Sequence, residues 1–599
     1  MFRIFKYILP LWKRLIIISL GFATMAFLQL QIPRNVGLIT TLVVSSSPTS
    51  EILQTGLIML GFSLGVIALA IFNALMNSYI ATGFSKNVRE AVFKKVNTLS
   101  LSEFEKFGTA SLMTRTTNDV QQIQGILLFG LRILITTPVT LITAVSLTLN
   151  ANPLLVYVFA VSVPLIFIII GITFKVASPL FEKVQKRVDG VTLVLRENLT
   201  GVRVVRAFNQ EIKEAKRFDE ANTALTKTNI HVNTTMSFLN PSVSFIFDLT
   251  YLSIFFVGFA TLDGQFLELD GVKLAFGDIL STAQYSSTLM FSLLMFAAIL
   301  IFLPRARASA KRINEVLDTH TSIHDPKDPI EPEQTTGKIE FKDVTFQFKD
   351  ANAPTLKNIS FTVQPKKVTA IIGSTGSGKS SIINLIPRFF DVTQGEILLD
   401  NVNIQAMSQH TLRERIGFVP QQALLFSGTI RDNLRFGKPD ASDDVLWEAL
   451  EVAQADKFVK TYPTGLDTDV SQTGKNFSGG QKQRLSIARA LVKKPEIYIF
   501  DDSFSALDYK TDILLRQRLK HYTHHATVVL VAQRVSTIID ADHIVVLHEG
   551  RIVGQGSHQV LLQTCDIYKE IVYSQLDPEE VEKTLNLARA TLQSEGGTR

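Results

Sequence analysis

Gly373-Ser374-Thr375-Gly376-Ser377-Gly378-Lys379-Ser380 follows a short apolar run, Val368-Thr369-Ala370-Ile371-Ile372, and precedes a helical pattern that opens at Ser381. This is the complete G-x-x-x-x-G-K-[ST] pattern between a strand and a helix. Its glycines let the backbone wrap nucleotide phosphates, and the helix start adds partial positive charge. Lys379 is expected on the β/γ-phosphates and the Ser380 hydroxyl on Mg²⁺. A second buried strand pattern, Ile497-Tyr498-Ile499-Phe500, ends in Asp501. A carboxylate at that place holds the Mg²⁺ shell in phosphate-loop nucleotidases. A nucleoside triphosphate with Mg²⁺ is therefore the expected ligand.

The elements that must position these residues begin after a linker. Asp325 to Pro332 holds three prolines and several charges, and Lys338–Phe348 then alternates like a strand. From there to about 575, short apolar strands alternate with helical patterns, which predicts an α/β phosphate-loop domain with a largely parallel sheet. Upstream, the chain is apolar and poor in charge. Between Leu15 and Ile80 only Arg34 and Glu51 are charged, and between Ile279 and Leu303 none are. Runs of this kind predict membrane-spanning helices. Turn signals divide them into six, the sixth stopping at Pro304. The domain plan is thus an all-α six-span transmembrane domain over 1–304 and a linker over 305–337. An α/β nucleotide-binding domain follows over 338–575, then a tail helix over 576–599.

Two stretches between spans, about 81–121 and 176–232, are too polar for lipid, yet Val184, Val188, Val191, Leu195, Leu199 and Val202 keep helical spacing. They predict membrane helices that run on into the cytoplasm as two long hairpins. Lys and Arg concentrate on the side that carries both termini and both hairpins. The opposite loops hold only Lys273 beside Asp263, Glu268, Asp270 and Asp278. Both termini are therefore expected in the cytoplasm.

Phe477-Ser478-Gly479-Gly480-Gln481 lies about a hundred residues after the phosphate loop and shortly before Asp501. It resembles the signature motif of ATP-binding cassette (ABC) transporters. With six spans and long hairpins fused to one cassette, nearly the whole chain resembles an ABC exporter half-transporter. The resemblance implies head-to-tail dimers, in which each ATP lies between one chain's phosphate loop and the other's signature. It also implies roles for further residues. Phe348 would stack on adenine, a Phe where Tyr is usual. Gln421 would be the Q-loop residue that reaches Mg²⁺. Ser505-Ala506-Leu507-Asp508 would be the D-loop at the dimer interface. Gly108–Asp119 and Ala207–Phe218 would be coupling segments that dock on the cassettes. Gln472 stands where the family often has an acid.

Two departures fall on the hydrolytic step. The family usually places Glu after the Walker B Asp, to polarise the attacking water; here it is Asp502. The family usually places His against the γ-phosphate; here it is Gln533, which cannot carry a titrating proton. Losing one methylene withdraws the carboxylate by about 1.5 Å, and misplacements of that size cost about 10²-fold in rate. The pair resembles the degenerate-site subunit of heterodimeric bacterial multidrug ABC exporters. This chain's own site is expected to bind MgATP but turn it over poorly. A different half-transporter with an intact Glu and His would complete a competent site with this chain's signature. The alternatives are a homodimeric slow exporter or flippase, and an ATP-binding regulatory or channel-like subunit without transport turnover.

Composition closes other routes. The chain has 599 residues, 60 Lys+Arg against 54 Asp+Glu, one cysteine and a mean hydropathy of +0.22. Cys565 alone forms no intrachain disulfide and no Cys-based zinc cluster. The basic balance sits on the cytoplasmic side of the spans, which points away from nucleic acid and toward a membrane. The compact layout and single cysteine point to a prokaryotic plasma membrane. Arg34 in the first span and Asp248 in the fifth are costly in lipid and are candidates for the substrate cavity. The resemblance implies an amphipathic cargo, a drug or a lipid.

Overall fold

The computed structural model describes residues 3–151, 153–262 and 276–576. The loop residues Asp263, Glu268, Asp270 and Lys273, and the tail from Asp577 onward, lie outside the described residues. The chain forms two compact units, Met1–Thr98 with Phe107–His320, and Leu99–Lys106 with Thr321–Arg599.

In the first unit, six helical stretches among the described residues are long and apolar enough to cross a membrane. They are built from α1 (Trp12–Val44), α2 (Thr49–Asn97), α4 (Thr109–Thr116) with α5 (Asn118–Ala151), α6 (Pro153–Thr200), α8 (Glu211–Ser237) with α9 (Leu239–Leu262), and α10 (Phe276–Asp318), while the short α3 (Leu101–Phe107, most of it in the second unit) and α7 (Val202–Ala207) lie between them. As the hairpin reading requires, α2 and α6 run well past their apolar segments into charged sequence. α1 and α10 approach closely at Gly37 and Gly277, where a Cβ on either would overlap the other's carbonyl. Small residues at such crossings let membrane helices pack by backbone contact. Asn77 Nδ2 donates to the Leu128 carbonyl at 2.7 Å, a hydrogen bond between α2 and α5.

One expectation fails here. α10 does not stop at Pro304 but continues to Asp318. Proline removes one backbone bond, yet Ala306, Ala310, Ile313 and Val316 repeat at helical spacing and are all buried. Burial of that stripe outweighs the missing bond.

The second unit contains two main sheets. β1 (Ile339–Phe346), β2 (Leu356–Val363), β4 (Gln394–Leu399) and β5 (Val402–Asn403) form an antiparallel sheet in the order β2-β1-β4-β5. β3 (Val368–Gly373) belongs to the other sheet, with β6 (Ile416–Val419), β7 (Ile497–Asp501), β8 (Thr527–Val531), β9 (His543–His548) and β10 (Arg551–Gly556). Its order is β10-β9-β3-β8-β7-β6, parallel throughout except for the edge pair β9-β10. Successive residues of a strand point to opposite faces. Ala370 and Ile372 accordingly enter one hydrophobic core while Ile371 enters the other. A sheet covered on both faces explains why these strands read as continuous apolar runs.

Candidate functional site

Strand order, not chain order, assembles the site. β3, β8, β7 and β6 are parallel neighbours, paired Val531 with Ile371, Val531 with Asp501, and Val419 with Phe500. The loops that leave their C-terminal ends are Gly373–Ser380, Ala532-Gln533, Asp501-Asp502 and Pro420-Gln421. Ligands of open α/β sheets bind at this edge.

Asp502 is the hub. Its Oδ2 accepts from Gln533 Nε2 at 2.9 Å and from Gln421 Nε2 at 3.4 Å. Its backbone N–H donates to the Val531 carbonyl at 3.0 Å, and its φ is +46°. That left-handed conformation suits Asp better than longer non-glycine residues. Beside it, burial pushes the Asp501 carboxyl up to about 6, helped by the charge of Asp502 and opposed by Lys379. Burial lowers the Lys379 ammonium, while Asp502 and then Asp501 hold it up.

The phosphate loop fits a nucleotide. Gly378 has φ +102° and precedes α11 (Lys379–Leu385). Gly376, at φ +82°, faces open space. Lys379 Nζ curls back onto the carbonyls of Gly373 and Ser374 at 2.7 and 2.8 Å, an ammonium ready to exchange weak partners for phosphate. Ser377 Oγ is buried without a hydrogen-bond partner, a polar atom that calls for a ligand oxygen or water. Thr375, Ser374 and Ser380 are exposed around the same loop, and Ser381 is half-buried. Ser380, Asp501 and Gln421 supply the hydroxyl, carboxylate and amide oxygens that Mg²⁺ prefers; bound there with ATP, Mg²⁺ would neutralise phosphate charge. Phe348 meets Phe346 and Phe390 edge-on, centroids 4.7 and 5.4 Å away, and remains 38% exposed, so a face is free for a base.

Comparison with known proteins decides the family. Residues 15–293 match the model of the ABC transporter transmembrane region, and residues 356–505 match that of the ABC transporter cassette. An uncharacterized ABC transporter ATP-binding protein of Mycobacterium bovis is 37% identical, over 89% of this chain and 90% of that protein. The chain belongs to the ABC transporter family. It is also similar to a fatty acid ABC transporter ATP-binding/permease protein of Mycobacterium bovis, 31% identical over 81% of this chain and 75% of that one. The structure of a bacterial Atm1-family ABC exporter with ATP bound superposes with a TM-score of 0.78 at 25% identity, covering 94% of this chain and 98% of that one. This ABC chain is thus an integral membrane half-transporter, six apolar helices fused to one ATPase cassette.

The signature of this transporter starts α12 (Gly479–Val492). Ser478 caps it, accepting from Gln481 N–H at 3.3 Å, while Gln481 Oε1 accepts from Ser478 N–H at 2.9 Å. Gly479 meets nothing within 4 Å at its Cβ position, and Gly480 lies near the Ala506 carbonyl of the D-loop. Phe477 instead turns inward, 5% exposed, against Phe458 and Tyr462. Its side chain therefore belongs to the core, and Ser478, Gly479 and Gly480 form the outward surface. In the D-loop, Ser505 Oγ donates to the Asp502 carbonyl at 2.9 Å, Leu507 is buried, and Asp508 caps the following helix through Thr511 N–H.

The first hairpin differs from the coupling-segment expectation. The piece grouped with the cassette is Leu99–Lys106, ahead of Gly108–Asp119. Glu103 anchors it, 7% exposed. Its carboxylate accepts from the Ser100 N–H and hydroxyl, from Ser322 N–H at 3.4 Å, and from Lys349 Nζ at 3.4 Å, next to the Phe348 platform. Burial raises this carboxyl, but the hydrogen bonds outweigh burial and bring it down to about 2. Asp119, fully buried, is held in the membrane unit by Ser309 Oγ at 2.9 Å and by Arg312, whose Nε lies 2.8 Å away. Glu103 was missed in the sequence, although Ser100-x-x-Glu103 is a helix-start pattern.

Of the cavity candidates, Arg34 is exposed on α1 and donates to Gln31 Oε1 at 3.3 Å, and Asp248 is exposed on α9. Neither bonds the other. A cavity of about 480 Å³ between α5 and α10 is lined by Ile126, Phe129, Ile133, Met295 and Phe302, with Gln121 and Gln122 as its polar members.

Proposed function

We propose that this chain is one subunit of a heterodimeric, ATP-driven exporter of amphipathic compounds, lipids or drugs, in a bacterial plasma membrane with both termini cytoplasmic. ATP closes the cassettes, the hairpins carry the motion, and the spans alternate between inward-open and outward-open. Its own site holds MgATP and hydrolyses it slowly. A partner half-transporter with Glu and His supplies the competent site, completed by Ser478, Gly479 and Gly480 of this chain.

The observation that carries the reading is the state of the Asp502 carboxylate. It is one methylene shorter than the usual Glu, and its Oδ2 takes amide hydrogen bonds from Gln533 and Gln421. Amide donors hold a carboxylate but relay no proton. An oxygen so engaged is a weak base for the attacking water. For the cargo, the α5–α10 cavity offers apolar walls and two amides, without a charged side chain, which suits an amphiphile. The fatty acid transporter among the relatives supports a lipid.

The deciding experiment is the composition of the native complex. The tagged chain is purified in mild detergent from its own host, and intact masses are taken. A different half-transporter at equal stoichiometry is expected. A homodimer with brisk ATPase would overturn both the partner and the impaired site. A homodimer that binds ATP without turnover would favour the regulatory alternative.

A further inference from the structure

Gln533 is held at both ends. Its side-chain amide donates to Asp502, and its backbone carbonyl accepts from Gln575 Nε2 at 2.9 Å. The same Gln575 amide accepts, through Oε1, the Val535 N–H at 2.8 Å. A carbonyl only accepts and an N–H only donates, so the two partners fix which way the Gln575 amide points. Gln575 lies just past α13 (Asp566–Tyr573), whose Tyr568 and Val572 are fully buried, and its own N–H bonds the Val572 carbonyl. The amide thus projects from an anchored helix and spans the turn that carries Gln533. Nothing in the motifs of the cassette assigns it a role.

The phosphate end of the site is where this matters. Lys379 serves the β/γ-phosphates, and Asp502, which accepts from Gln533 Nε2 at 2.9 Å, stands at the same edge of the parallel sheet. We propose that Gln575 is a positioning residue of the nucleotide site: its two-point clasp on the Gln533–Val535 turn sets the Gln533 amide against Asp502, so that the C-terminal helix tunes recognition of the terminal phosphate. The inference rests on the nucleotide site alone and stands whether or not that site turns over.

The test uses the intact complex in nanodiscs. The chain is photolabelled with 8-azido-ATP, read at the peptide carrying Phe348, and protected with MgATP or MgADP. Losing hydrogen bonds of this kind corresponds to about a two- to tenfold change. Gln575→Ala and Gln575→Glu should raise the MgATP needed for half-protection by that factor and leave MgADP within about twofold. Gln575→Glu fills the same volume and can still accept from Val535, but it cannot donate to Gln533. Gln575→Ala combined with Gln533→Ala should lose no more than Gln533→Ala alone, because Gln575 acts through Gln533. Equal shifts for ATP and ADP, no shift, or an additive loss would each overturn the proposal. So would loss of folding in both Gln575 variants, which would make the residue a structural clasp only.

Discussion

The hydrolytic departures can be tested inside this one chain. Gly479→Asp places a charged side chain on the signature surface, where the Cβ position meets nothing within 4 Å, so the chain itself tolerates it. It blocks the site that uses this signature and leaves the site that uses Asp502 and Gln533. ATPase of the complex should fall to about 1%, since misplacing a catalytic group by about 1 Å costs about 10²-fold. Into that background go Asp502→Glu and Gln533→His, singly and together. Glu alone pushes its carboxylate toward Gln533 Nε2, now 2.9 Å from Oδ2, and must swing aside. The left-handed backbone at φ +46° adds strain for Glu, at most about 1 kcal/mol beyond that for Asp. His alone meets a carboxylate that is still too short. Each single change should therefore recover less than about threefold, and the pair about 10²-fold, a clear excess over the roughly tenfold product of independent gains. The readout is phosphate release per complex, normalised to photolabelled ATP. Unchanged residual ATPase in the double reversal, with labelling intact, would refute the reasoning. Full ATPase in Gly479→Asp alone would refute the assignment of the competent site.

Three further outcomes follow from particular contacts. Glu103→Ala should lower the thermal midpoint of the cassette unit, at a cost of about 2 kcal/mol for a buried acceptor and its orphaned donors. Because the folded carboxyl sits at about 2 against 4.5 unconstrained, its contribution is complete above pH 4.5 and fades as pH falls toward 2; differential scanning fluorimetry of wild type and Glu103→Gln across that window should converge at the acid end. Asp119→Ala removes the fully buried carboxylate that bonds Ser309 and the half-exposed Arg312 and should destabilise the membrane unit by about 1–2 kcal/mol, while adding Arg312→Met should change that loss little, because water already reaches Arg312; intrinsic-fluorescence melts in nanodiscs decide it. Asp248→Asn should reduce export of cationic amphiphiles from vesicles and spare neutral ones; equal loss of both would remove Asp248 from substrate recognition.

What could be read from the sequence depended on how far apart the cooperating residues lie. The phosphate loop is contiguous, and its glycines, lysine and serine announce their chemistry together. Asp501 is legible because a buried strand delivers it. The spans are legible because lipid tolerates so few charges. The meeting of Gln533 and Gln421 on one oxygen of Asp502 was not, because β8 follows β7 in the chain yet inserts between β7 and β3 in the sheet. The continuation of α10 through Pro304 depends on a buried stripe that only packing reveals. Glu103 bonds to Ser322 and Lys349, more than two hundred residues away, and Gln575 reaches a turn forty residues upstream. Neither pairing leaves a local pattern to read.

The signature surface suits the proposed sharing of a site between two cassettes. Its residues are spent unequally. Phe477 is given to the core, and the Gln481 side chain is given to the cap of α12, where it satisfies the Ser478 N–H. What is left facing outward is backbone and glycine, with open space over Gly479. The Gly479 and Gly480 N–H groups at the start of a fourteen-residue helix suit an anion. Such a surface suits a phosphate, but Ser478, Gly479 and Gly480 bring to it no base and no metal-binding carboxylate. Those groups sit on the edge of the parallel sheet, around Lys379, Asp501 and Asp502. The proposed pairing, in which a second cassette presents the opposite pair of surfaces, would complete both. In the proposed heterodimer, the short Asp502 and the neutral Gln533 would weaken only the half that this chain equips, while the capped glycine surface offered to the other half would keep the N–H groups of Gly479 and Gly480.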